Sequence, residues 1–168
     1  MRRTPLLGLR SLALGAAAIL AAQGISAQEA TRDPVLDRMH DEAMAPAYTS
    51  APGSIEKAAW GHAPIAFQRG ENDVRRFECL RVQAELFSAL GYVDGARLYL
   101  VEAAQHAEAT DDPFNAAMTY VDAAILAKDS GESWEARDLA AKARALVSTP
   151  ELDLTQRAAI LDRLQPRS

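Results

Sequence analysis

A frame of small residues recurs at a spacing of 40 in the second half of this chain. In LRVQAELFSALGYVDGARLYLVEAA, from Leu80 to Ala104, it is marked by Ala84, Leu86, Gly91, Ala96, Arg97 and Ala103. In YVDAAILAKDSGESWEARDLAAKAR, from Tyr120 to Arg144, the same frame returns as Ala124, Leu126, Gly131, Ala136, Arg137 and Ala143. Ala96 and Ala103, like Ala136 and Ala143, are seven apart and so share one face of a helix. Small side chains there let two helix backbones approach closely. Gly91 and Gly131 stand where a left-handed residue ends a helix without steric cost. Leu80, Phe87, Leu100 and Tyr120 supply the bulk between them. A single hairpin of this kind cannot bury its own apolar face, so neighbouring hairpins must stack.

With these residues in these places, the chain resembles the tetratricopeptide repeat (TPR) family over two units, roughly residues 74–147. It departs from the family in three ways. The period is 40 where 34 is usual, the proline that ordinarily ends a unit is displaced to Pro113, and the aromatic that opens the first unit is only Leu80. An alanine-rich bundle with coincidental spacing is the plainer alternative. The resemblance implies an all-α fold of tandem antiparallel helix hairpins, a short right-handed α-solenoid, with a C-terminal closing helix. It also implies a concave binding face lined by the first helix of each unit. In register, that face carries Glu78, Arg81, Glu85 and Ser88 in unit one, and Met118, Val121, Ile125 and Lys128 in unit two. The lysine–asparagine pattern with which the family's best-known groove grips a peptide carboxylate is missing. Met118, Val121 and Ile125 instead form an apolar strip, suited to an apolar peptide or a partner helix, or else covered by the last helix or the N-terminal segment. Trp134 and Tyr92, near the inter-helix turns, read as packing residues.

Residues 1–27 read as a secretory signal peptide. Arg2, Arg3 and Arg10 make a basic start, Leu12–Ala22 an apolar run of 11, and Ile25-Ser26-Ala27 a small-residue end, predicting cleavage between Ala27 and Gln28. Eleven apolar residues are too few for a permanent span, which needs about 20. No cysteine follows to carry a lipid anchor. The expected mature chain, from Gln28 to Ser168, is long enough for one domain with a core. It keeps 15 basic residues against 23 acidic ones. That balance argues against nucleic acid and anionic membrane surfaces as partners. The expectation is a periplasmic or secreted protein of a bacterial-type envelope, without stable membrane insertion after cleavage.

Residues 28–71 read as an irregular, flexible N-terminal segment with short helices, ahead of a helical domain over 72–168. Asp33-Pro34 opens a brief helix over 33–43. The run MAPAYTSAPGS from Met44 to Ser54 reads as a linker. A second short helix starts after Ser54 and is expected to break early at Gly61 and Pro64. Ile65, Ala66 and Phe67 are placed as a cap on the first repeat. Asn72 or Asp73 caps a helix to about Leu90, and further helices run over about 93–109, from Asp112-Pro113 to 130, and over 133–147. Asp153 with Gln156 resembles a capping box opening a last helix to about Leu164. That helix is expected to turn Leu154, Ala158, Leu161 and Leu164 inward, with Arg157, Asp162 and Arg163 outside. No strand-like alternation occurs.

No arrangement of residue types points to catalysis. His40, His62 and His106 are scattered in sequence, and His40 with Asp37 and Asp41 lacks a third strong metal ligand. GENDVRR lacks the strand and lysine of a phosphate loop, and there is no HExxH or nucleophile elbow. Asp111-Asp112 reads as loop and cap. Cys79 is the only cysteine, so no disulfide can form within the chain. It reads as a small, half-buried hydrophobe with no histidine in its own helix to activate it. The expectation is a non-catalytic scaffold that binds a protein or peptide, without cofactor or metal. The alternative is a self-associating structural module, a homodimer joined through the apolar strip or Cys79.

Overall fold

A computed structural model describes residues 34–66 and 73–165. The signal-peptide reading, the cap at Asp33, Phe67, Asn72 and the start of the GENDVRR stretch lie outside these residues. Among the described residues there is no β-strand, and the fold class is all-α. No described helix is long and apolar enough to cross a membrane. The helices are α1 (Pro34–Met44), α2 (Ser54–Ala66), α3 (Asp73–Ala89), α4 (Val93–Ala109), α5 (Pro113–Asp129), α6 (Ser133–Leu146) and α7 (Leu154–Arg163), with a 3-10 turn at Ala45–Tyr48.

From α3 to α6 each helix packs along the next. Very short connections between such helices force neighbours to run antiparallel. Three of these helices end in the same way. A backbone N–H reaches back five residues, Tyr92 to the Phe87 carbonyl, Asp112 to Ala107 and Glu132 to Ala127. The residue before each donor is left-handed: Gly91 at φ 80°, Asp111 at 56° and Gly131 at 89°. This is the Schellman closure, which satisfies carbonyls that the helix end would leave unpaired. Glycine suits it at two of the sites, and aspartate, among the more tolerant non-glycine residues, takes the third. Asp112 then caps α5, its carboxylate accepting from the Asn115 backbone N–H at 3.1 Å and the Asn115 side-chain amide at 2.7 Å. Loop and cap are thus the roles Asp111 and Asp112 play.

The recurring alanines Ala84, Ala96, Ala103, Ala124 and Ala143 are buried, and Ala136 is half-buried. They let α3–α6 pack backbone against backbone, with Leu80, Phe87, Leu100 and Tyr120 filling the core between. At Gly95 a Cβ would fall 2.5 Å from Cδ2 of the Phe87 ring. Glycine at that position is therefore a packing requirement. Phe87 also meets Trp60, Tyr92 and Tyr99 edge-on, with centroids 5.3–5.8 Å apart. Tyr92 is in this sense a packing residue, but Trp134 is 66 % exposed and is not.

The N-terminal part is more ordered than its composition predicts. Pro34–Met44 is the expected brief helix, but the supposed linker contains the 3-10 turn, in which Ala47 is buried and Thr49 Oγ1 donates to the Pro46 carbonyl at 2.8 Å. The early break in α2 does not occur, and the helix continues through Gly61 and Pro64 to Ala66. Pro64 lies in the last turn, where its missing N–H removes one backbone bond near the helix end. Burial of Ala58, Ala59 and Ile65 outweighs that loss. Helix α2 packs on both α1 and α3, with Ile65 in the core as expected.

Helix α7 has the predicted capping box, Asp153 accepting from the Gln156 N–H and Gln156 returning the bond. Its inward face is not the predicted one. Leu154 is 84 % exposed, and Ala158 and Leu161 are exposed, while Ile160 is fully buried and Leu164 packs at the core edge. The arginines expected outside are tied to the protein. Arg157 donates to the carbonyls of Leu152 and Thr149, and Arg163 pairs with Asp122 on α5. Two polar anchors and one isoleucine thus orient this helix against its leucine-rich stripe.

Candidate functional site

The expected concave residues fall into three groups. Arg81, Glu85 and Ser88 on α3, with Ile125 on α5, line a cleft of about 230 Å³. Val121 is 1 % exposed and belongs to the core, and Met118 is partly buried against it. Glu78 is half-buried and Lys128 exposed, and neither lines the cleft. The apolar strip is therefore no open groove. Helix α7 packs on α5, and only Ile125, at 37 % exposure, is left in the open.

The cleft's remaining walls come from Ala84 on α3, Ala96 and Leu100 on α4, and Asp122, Leu126 and Asp129 on α5. On α3 the lining residues are 81, 84, 85 and 88, and on α5 they are 122, 125, 126 and 129. Each set has the i, i+3, i+4, i+7 spacing of one helical stripe. Translation by the repeat period carries the α3 stripe onto the side of α5 that faces the same way. The cleft wall on α5 faces back towards α3, so it lies one residue further round. That rotation is why Asp122, Leu126 and Asp129 escape a reading by register, although their periodicity is visible in the sequence.

Charge in the cleft is unbalanced, with carboxylates at Glu85, Asp122 and Asp129 against the guanidinium of Arg81. Asp122 bridges helices: one oxygen accepts from Arg81 at 3.4 Å and the other pairs with Arg163. Loss of water around Asp122 pushes its pKa above the usual carboxylate value, with Arg163 and then Arg81 pulling it back. Glu85 remains exposed as a residue, but its carboxyl is crowded by protein. Desolvation is the largest influence and raises its pKa, Arg81 opposes the shift, and Asp122 adds to it. The cleft is smaller than the pockets that usually enclose whole small molecules. A single side chain of a docking segment fits it better.

A second constellation gathers residues that are scattered in sequence. His40 Nδ1 on α1 lies 2.9 Å from His62 Nε2 on α2, and 3.9 Å from Cys79 Sγ on α3. His62 Nδ1 lies 3.0 Å from Gln83 Oε1, and Gln83 Nε2 donates to the Ala59 carbonyl at 2.9 Å. Cys79 therefore has a histidine neighbour from outside its own helix, and it is buried rather than half-buried, at 3 % exposure. Of the features that suggested pairing between copies, Cys79 and Val121 are buried and Ile125 stays exposed. The only sequence signal for this cluster is polar residue types within otherwise apolar helix faces. No protein-family model matches this chain, and no curated protein or solved structure matches it.

Proposed function

We propose that the chain is an exported, TPR-like helical-repeat scaffold, two divergent units closed by α7. In this reading it binds a protein segment through the cleft between α3 and α5 and catalyses nothing. The observation that carries the reading is the pair of matched stripes, 81/84/85/88 and 122/125/126/129, facing each other over a floor of Ala96 and Leu100. The repeated Schellman closures and the buried alanines at matching points of the two units support the TPR-like part. A net acidic lining with a small apolar floor suits a segment that presents one basic side chain beside an apolar one. Export rests on the leader-like character of residues 1–27.

A display library of short peptides, panned against the purified chain, tests the binding site. Peptides with a lysine or arginine next to an apolar residue should be enriched. A variant carrying Glu85→Lys and Asp129→Lys should lose them while keeping its helical circular dichroism. Equal retention by both proteins would place the binding surface elsewhere. N-terminal sequencing of the chain from an envelope fraction should begin at Gln28.

A further inference from the structure

We propose that His40, His62 and Cys79 form a site for one thiophilic d10 metal ion, Cu+ or Zn2+, that ties α1 and α2 to α3. This goes beyond the scaffold reading and does not depend on it. Among the described residues these three form a group whose ligand atoms all lie within 4.8 Å of one another. Two imidazole nitrogens and a thiolate bound to one ion, at about 2.0–2.3 Å, would lie about 3.3–3.8 Å apart. The spacings of 2.9 and 3.9 Å need adjustments of well under an ångström to reach that range, and the third, within 4.8 Å, needs about one ångström at most.

The surrounding hydrogen bonds already orient a ligand. The Ala59 carbonyl can only accept, so the Gln83 amide must point its N–H there and its oxygen at His62. That oxygen accepts a hydrogen bond from the His62 Nδ1–H, which leaves the Nε2 lone pair directed at His40. A metal-binding histidine held through its other nitrogen is the usual second tier of such sites. His62 and Gln83 are both fully buried, so the arrangement is rigid.

Sulfur with two imidazoles selects copper or zinc over magnesium, calcium or manganese, which prefer oxygen. Cu+ with one thiolate is neutral and satisfied by three donors, which suits a buried place. Zn2+ would retain a positive charge and call for a fourth ligand, supplied by solvent or a small anion. On binding, the Cys79 thiol proton goes to solvent, the sulfur–metal bond forms, and the proton on His40 Nδ1 moves to Nε2. No electron is transferred. Each ion taken up as Cu+ releases one proton.

The test is competitive titration of the purified chain, with Cu+ under anaerobic reducing conditions and with Zn2+, each against a chromophoric chelator, and Mg2+ as the control. One equivalent of Cu+ or Zn2+ should bind and raise the melting temperature, and Mg2+ should do neither. The ratio of the two affinities shows which ion the donor set prefers. Cys79→Ser and His40→Gln should each weaken binding more than about 10-fold, and Gln83→Leu by about 10- to 100-fold. Co2+ added to the wild-type chain should show a thiolate-to-metal charge-transfer band. This measurement remains decisive if a buried variant fails to fold. Less than one equivalent bound, no cobalt–thiolate band, or affinity unchanged in His40→Gln overturns the site.

Discussion

Helices α3 and α5 carry the same small-residue frame 40 residues apart in sequence, yet their buried faces are built differently. Leu80 corresponds to Tyr120, Cys79 to Thr119, Gln83 to Ala123 and Ala84 to Ala124, and all eight are buried. On α5 the face is drier: Ala123 needs no partner, the buried Thr119 hydroxyl has no hydrogen-bond partner among the described residues, and the Tyr120 hydroxyl is hydrogen-bonded to Glu108. On α3 Gln83 bonds to His62 and to the Ala59 carbonyl, and Cys79 stands near His40. What packs from upstream makes the difference, because α2 brings a histidine to α3 whereas α4 brings alanines and the Glu108 carboxylate towards α5. One backbone frame thus supports both a mainly alanine-packed joint and one built on a buried histidine–glutamine network. The second is specific to the junction with the N-terminal helices.

The comparison can be broken most severely at Leu80. Leu80→Ala removes a fully buried side chain from the joint and should cost about 2–5 kcal/mol in a urea unfolding curve. A cost below about 1 kcal/mol would mean that α2 is not seated there. Gln83→Leu should cost about 1–3 kcal/mol, since it strips a partner from both His62 and the Ala59 carbonyl. The equivalent Ala123 site holds no such network to lose. Thr119→Val works in the opposite direction: it replaces a buried hydroxyl lacking a partner by a methyl, and should stabilise by about 1 kcal/mol. A destabilised Thr119→Val protein would show that the Thr119 hydroxyl makes a hydrogen bond of its own.

The smallest effect is at the cleft. Glu85 has a folded-state pKa above its unfolded value, chiefly through desolvation. Its ionised form therefore costs the folded state stability. That cost is absent below the unfolded pKa and present in full above the folded one. Glu85→Gln should raise the melting temperature slightly at neutral pH, with the gain vanishing below about pH 4. Melting curves across that range check the sign. A loss at neutral pH would mean that the pairing of Glu85 with Arg81 outweighs its desolvation.

Local patterns were legible where the interaction is local. The aspartate and proline that open α5, the capping box of α7, the glycines after α3 and α5, and the alanine frame all involve neighbours within one or two turns. The structure agrees with each. Composition misled at residues 44–66, where a run read as linker and a helix read as broken are held by packing against α1 and α3. In the cleft, the register implied by the family resemblance included Arg81, Glu85, Ser88 and Ile125, which line it, but put Val121 rather than Asp122 on the α5 wall. Repeat register says which residues are equivalent, and not which ones face each other.

By itself, the chain's order of residues determined helix type, most helix ends and the small-residue seams, since these depend on backbone geometry and contacts a few residues apart. Tertiary structure alone decided which stripe of α7 is buried, because the Asp122 that anchors Arg163 stands on a different helix, far back along the chain. It alone also brought His40, His62 and Cys79 from three helices to one point. Such meetings are fixed by how helices rotate and slide against one another, and that is set by the fit of whole faces rather than by any one segment.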